Sequence, residues 1–129
     1  MSSKGRPYRT VCVEGWEVLV GRADSDNDYL TFRVASKRDI WLHVGGGTPG
    51  SHVIVRNPDG NDVPAGVVEG AAQLAAWYSK ARGAPRVEVH YCRVSDVAKK
   101  SGAPSGQVTI RRFKRVKVTP SRLGSSDEP

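Results

Sequence analysis

Residues 39–56 read DIWLHVGGGTPGSHVIVR. Two runs rich in β-branched and aromatic residues flank three glycines and a Thr-Pro-Gly. That pattern predicts an antiparallel hairpin with 45–50 as its loop. A symmetrical register sets His43 opposite His52, Trp41 opposite Ile54 and Asp39 opposite Arg56. Strand alternation then sorts the side chains. Ile40, Leu42, Val44, Val53 and Val55, with Ser51, form a core face. Asp39, Trp41, His43, His52, Ile54 and Arg56 form the other, which is more specific than an ordinary solvent face. Facing Cβ atoms lie about 4.5–5.5 Å apart, so two opposed imidazoles share a ligand or a hydrogen bond and resist double protonation. Beside Trp41 and Arg56, they suit an unstacked base and its phosphate. The glycines add bare backbone N–H groups and Ser51 a hydroxyl, which fits anion contact and a plain hairpin tip equally. No GK[ST] follows, so this is not a phosphate-binding P-loop.

Outward from the hairpin, RTVCVE and WEVLVGR read as two strands turning at Glu14-Gly15. ADSDND is turn-like, and YLTFRVAS leaves strand and short helix open, with Asn27 or Asp28 as a possible cap. Residues 64–81 are the clearest helix. Val67, Ala71, Leu74, Ala75 and Tyr78 share one face. Pro64 suits the first turn, Lys80 and Arg82 the last, and Gly83 the residue beyond. Gly66 and Gly70 each cost about 1 kcal/mol relative to alanine, which close packing on a sheet would offset. RVEVHYCRV alternates as a strand, Ser95 caps a short turn, and QVTI and RVKVT are two final strands. The pattern predicts a single-domain α+β fold, a mostly antiparallel sheet packed against one main helix plus a short helix. The ordered domain spans 9–118, with 1–8 and 119–129 as flexible tails.

The chain has 129 residues, 38% of them hydrophobic, 26% charged, with a net charge of +7. No segment approaches the roughly 18 apolar residues of a membrane span. MSSKGRPYRT carries no apolar signal core, so the expected location is cytoplasmic. Cys12 and Cys92 are expected to be small buried residues. From Lys99 to Arg122 stand eight basic residues and no acidic one. Such a block draws polyanions, nucleic acid first among them. Lys99, Lys100, Arg111 and Arg112 are its candidate phosphate contacts.

Four stretches together resemble a known family: VGRADSDNDYL, DIWLHVGGGTPGSHVIV, AAQLAAWYSKAR and VAKKSGAPSGQV. They look like the NFACT-R domain, the RNA-binding module of ribosome quality-control factors. Its most specific part is D-x-W-x-H…P-G-S-H, matched by Asp39, Trp41, His43, Pro49, Gly50, Ser51 and His52. Gly21-Arg22, Asn27-Asp28, Ser79-Lys80 and Lys99-Lys100 match secondary motifs. The resemblance implies a helix for the ambiguous stretch at 27–35. It also implies an RNA partner (tRNA, rRNA or the ribosome), and RNA-modifying enzymes as companions. The family's large members carry tRNA-binding and coiled-coil regions that cannot fit here, so the expected form is single-domain and no tail synthesis is assigned. Three glycines replace the polar residues often seen before Pro49.

The expected function is non-enzymatic RNA binding without cofactor or membrane. Asp39, Trp41, His43, Ser51, His52 and Arg56 form the patch, with Arg22 and Lys80 at its margin. An adaptor docking on a ribosome or partner by its basic face is the alternative. Two less favoured readings remain. His43 and His52 with Asp39 could act as general acid and base on RNA, although no nucleophile–base–orienter set is visible. A metal site would need Asp39, His90 or Cys92 to complete the ligands.

Overall fold

Residues 7–123 are described by the structure, a computed structural model. The chain first folds back at Glu14-Gly15, whose φ angles of 50° and 88° suit a two-residue hairpin turn. β1 (Tyr8–Val13) and β2 (Trp16–Gly21) pair across it. α1 (Asp24–Tyr29) follows and runs into a π-helical turn, Leu30–Val34. Then come β3 (Ile40–Val44), β4 (Val53–Val55) and α2 (Ala65–Trp77). β5 (Val87–Arg93), a 3₁₀ turn (Val94–Asp96), β6 (Val97–Ala98), β7 (Thr109–Ile110) and β8 (Lys114–Val118) complete the domain.

Six strands form one antiparallel sheet in the order β1-β2-β4-β3-β5-β8, while β6 and β7 make a separate ribbon. This is the α+β domain the sequence predicts. The hairpin register is also the expected one, with Trp41 opposite Ile54 and Leu42 opposite Val53.

The layers differ from expectation. α2 covers one face of the sheet, burying Val67, Ala71, Leu74 and Ala75 against Val18, Val20, Leu42, Val53 and Val89. The opposite face is covered too. α1, its π-helical turn and the β6–β7 ribbon bury Leu19, Leu30, Trp41, Ile54, Cys92, Val94 and Val97 as a second core. Fully burying an aliphatic side chain is worth about 1.5–3 kcal/mol, so this second layer contributes substantially to holding the short helix in place. β2 shows the consequence in its sequence. Val18, Leu19 and Val20 are all buried, the continuous apolar run of a strand covered on both faces.

Several boundaries move for identifiable reasons. α2 stops at Trp77, short of the expected 81. Residues 78–80 turn to pair with the hairpin loop instead: Ser51 N–H donates to Tyr78 O (2.9 Å), Lys80 N–H to Pro49 O (2.9 Å), and Gly50 bridges Ser79. A Cβ on Gly50 would lie 2.7 Å from Ser79 Cβ, so this approach requires glycine. α1 begins at Asp24, which leaves Asn27 and Asp28 inside the helix and not capping it. Ser95 lies within the 3₁₀ turn, whose N-cap is Arg93. The expected tails are shorter within the described residues. Tyr8 belongs to β1, and 119–123 dock on α2, where Ser121 N–H donates to Gln73 O and Leu123 packs on the core. Residues 1–6 and 124–129 of those tails lie outside the described residues. Cys92 is buried as expected; Cys12, on the sheet's edge strand, is exposed. Among the described residues, no helix is long and apolar enough to cross a membrane.

The glycines of α2 separate packing from propensity. A Cβ on Gly70 would meet Val13 Cγ1 at 2.7 Å, whereas one on Gly66 would meet the end of the Glu14 side chain at 3.0 Å. Gly70→Ala should lower stability despite the helix-propensity gain of about 1 kcal/mol, because overpacking costs about 1–3 kcal/mol. Gly66→Ala should be neutral or stabilising. Urea denaturation of both variants checks the pair; a stabilised Gly70→Ala would remove the packing explanation.

Candidate nucleic-acid interface

The sheet face under α1 carries all three histidines of the chain in one row. His43 on β3 stands beside His90 on β5, and His90 beside Arg115 on β8. Extending the β3–β4 register by one residue puts His52 on the other side of His43. The rings bear this out: His43 and His52 meet edge to face at 5.4 Å, and Trp41 lies 5.9 Å from His43 and 5.2 Å from His52. Of the predicted patch, Trp41, His43 and His52 therefore do come together.

They are not displayed as the sequence suggests. Trp41 is 2% exposed, His52 1% and Asp39 0%. The second core explains this, since the face that holds them also holds Ile54 and needs a cover.

His52 is fixed from three sides. Its backbone N–H donates to Asn27 Oδ1 (3.0 Å), Nδ1 lies 2.9 Å from Thr31 Oγ1, and Nε2 lies 3.2 Å from Gly106 O. A carbonyl only accepts, so Nε2 carries the proton and Nδ1 accepts from the threonine hydroxyl. Burial, reinforced by neighbouring His43, pushes the His52 pKa down to about 4. Burial also lowers His43 below its ordinary value, opposed by backbone hydrogen bonds at Val44 and Gly50.

Asp39 and Arg56 form the expected cross-strand pair, Nε to Oδ2 at 3.0 Å, at the other end of the hairpin. Asp39 also accepts the N–H groups of Asn57 (2.7 Å) and Ser36 (2.9 Å). This carboxylate organises two turns and stands apart from the histidines. Ser51 Oγ donates to Gly21 O at 2.6 Å. Lys99 is equally committed. Its ammonium has three donors, and it contacts Asp28 Oδ2 (2.9 Å), Gln107 O (2.9 Å) and Pro104 O. Asp28 Oδ1 in turn accepts the Gly106 N–H at 3.1 Å. Lys99 thus latches the 99–107 loop onto α1 instead of extending toward a phosphate. Lys100, Arg111 and Arg112 are exposed, and Arg111 pairs with Asp96 at 3.2 Å.

Two clefts meet at the hairpin tip, sharing Asp24, Pro49 and Gly50. One, of about 630 Å³, gathers Arg9, Arg22, Lys80 and Arg82 with Trp77 and Tyr78. The Arg9 guanidinium lies 4.7 Å over the Tyr78 ring, and that of Arg82 lies 4.9 Å over Trp77. Arg22, Lys80 and Ser51 reach this cleft and not the histidine row. Sequence reasoning missed Arg9 here and gave Tyr78 and Arg82 other roles. Nothing local links Arg9 to Tyr78; only the sheet brings them together. The second cleft, of about 560 Å³, lies over the histidine row beneath the glycine loop and residues 104–107. Among the described residues no group of three His, Cys, Asp or Glu side chains could hold a metal ion.

The His52 environment has a pH signature. Its folded pKa of about 4 lies below the ordinary 6.5. Between those values the unfolded chain binds the proton and the folded chain does not, so stability rises with pH across that window. The His52 contribution should be fully present above about pH 6.5 and fall by ~3 kcal/mol on acidification to pH 4. Imidazole ¹⁵N spectra at neutral pH should show His52 protonated at Nε2 alone. A titration midpoint near the ordinary histidine value would contradict this environment.

Comparison with known proteins agrees with the fold. The family model described as "NFACT protein RNA binding domain" matches residues 6–112. The chain is 41% identical over 122 residues to the "Rqc2 homolog RqcH" of Bacillus subtilis, covering 91% of this chain and 21% of that protein. It is 31% identical over 102 residues to the "Ribosome quality control complex subunit NEMF homolog" of Drosophila melanogaster, covering 78% of this chain and 10% of that protein. The chain therefore spans about a fifth or less of these relatives. A solved structure, the C-terminal part of the fibronectin/fibrinogen-binding protein from Streptococcus suis, superposes with a TM-score of 0.83 at 35% identity, covering 92% of this chain and 47% of that one. With a family model matched across residues 6–112 and the fold matched as well, the chain belongs to the NFACT RNA-binding-domain family.

Proposed function

We propose that this chain is a non-enzymatic RNA-binding module acting in the cytoplasm on tRNA, rRNA or the ribosome. The observation that carries the reading is the convergence of Arg9, Arg22, Lys80 and Arg82 with two aromatic rings around one cleft. The cationic groups answer the phosphates of a strand, and two of the guanidiniums lie over the aromatic rings. The exposed residues Lys100, Arg112, Arg115 and Lys117 extend the positive field and attract a polyanion from a distance. Asp39 and Arg56 support the hairpin at the end away from this cleft. The relatives' names, "Rqc2 homolog" and "Ribosome quality control complex subunit", support a place beside the ribosome. Docking on a ribosomal protein by the same basic face is the second reading, favoured by the wide spread of the basic groups.

Binding of purified protein to total tRNA, single-stranded RNA and duplex DNA at two salt concentrations tests this reading. RNA should bind preferentially, with affinity falling as salt rises. Lys80→Ala and Arg82→Ala should each weaken binding and reduce the salt slope by about one contact's worth. Equal affinity for all three nucleic acids would reduce the reading to a basic surface. Association with ribosomes but with no free RNA would favour protein docking.

A further inference from the structure

The two clefts at the hairpin tip differ in chemistry. Four lysine and arginine side chains line one; none lines the other, whose wall carries Trp41, His43, His52 and His90. We propose that the histidine cleft seats one unpaired nucleobase of the same RNA strand whose phosphates cross the basic cleft. This assignment rests on the RNA-binding reading and divides the recognition between the two clefts.

A phosphate entering the histidine cleft would lose hydration and find no lysine or arginine there. A base has no charge to desolvate and brings a π face and a polar edge. The cleft offers partners for both through the half-buried ring of His43 and the backbone of the bordering loops, with buried Trp41 and His52 packed behind that ring. Trp41 and His43 lie nearly parallel, 24° between their planes, and His52 meets His43 edge-on at 79°. Burial keeps both imidazoles toward the neutral form, in which each carries one donor and one acceptor. The buried indole N–H of Trp41 has no acceptor among the described residues. His52, with both ring nitrogens engaged, is a positioning residue for this wall.

The opposite wall is held in place as well. Residues 104–107 are pinned through Gly106 and Lys99 to Asp28. A Cβ on Gly46 or Gly47 would meet nothing within 4 Å, and both have positive φ, so bare backbone borders an open entrance. The volume of about 560 Å³ lies in the usual range for small-molecule pockets. A paired base inside a duplex presents neither its face nor its Watson–Crick edge, which restricts the site to single-stranded or looped RNA.

The test compares two probes with identical phosphates: a short single-stranded RNA and an abasic ribose-phosphate strand of the same length. Wild-type protein should bind the base-bearing strand about tenfold or more tightly, as stacking of one base on an aromatic wall contributes elsewhere. That preference should vanish in His43→Ala and in Gln107→Trp. Gln107 is an exposed residue on the rim, so the second variant fills the cleft without disturbing the sheet. Equal, salt-dependent binding of both strands would overturn the base site and leave the RNA-binding reading standing. A base preference that survives Gln107→Trp would also overturn it, by placing the base elsewhere. Binding of neither strand would overturn both readings.

Discussion

One carboxamide joins the two halves of this molecule. Asn27 sits on α1, yet its Oδ1 accepts the backbone N–H of His52, and its Nδ2 reaches Gly50 O at 3.4 Å. Through it the short helix recognises the end of the hairpin loop by backbone alone. The contact exists because Gly21 has no side chain; a Cβ there would lie 2.0 Å from Asn27 Oδ1. The His52 N–H is buried, so a lost acceptor would leave an unsatisfied donor costing about 1–3 kcal/mol. The rest of the site builds on this seat. Once His52 is placed, its ring selects Thr31 on one side and Gly106 on the other, and the 99–107 loop closes over the sheet.

The motif residues divide by what their polar groups have already spent. Asp39, Ser51, His52 and Lys99 have their hydrogen-bonding capacity largely consumed within the fold. They shape the hairpin, the helix junction and the loop. Lys80, Arg82 and the exposed basic groups beyond residue 99 face solvent. The hairpin pattern is thus mostly an architectural specification. It sets two clefts side by side, and the residues bordering them supply the chemistry.

The sequence disclosed whatever depends on local periodicity. Alternation along 39–56 specified the register, and the repeat of Val67, Ala71, Leu74 and Ala75 specified the buried helix face. It could not disclose what depends on a partner far along the chain. The early end of α2 follows from the glycine loop some 30 residues earlier. The commitment of Lys99 follows from Asp28. The covered state of Trp41 follows from Leu30, Val94 and Val97 packing over it. That last point had a signal: Leu19, Ile54 and Cys92 sit on the supposedly open face and imply a second layer. The arginine and aromatic cleft had none, because Arg9 and Tyr78 meet only after the sheet and α2 are assembled.

The unequal burial of the two cysteines has a practical meaning. Cys92 lies within the second core, and burial pushes its thiol up to about 12, so it is unreactive toward alkylating reagents at neutral pH. Cys12 is exposed on the strand that also carries Arg9. Wild-type protein therefore holds one accessible attachment point for a fluorophore or spin label, on an edge strand three residues from Arg9. An environment-sensitive dye there can follow ligand arrival in real time with no engineered residue.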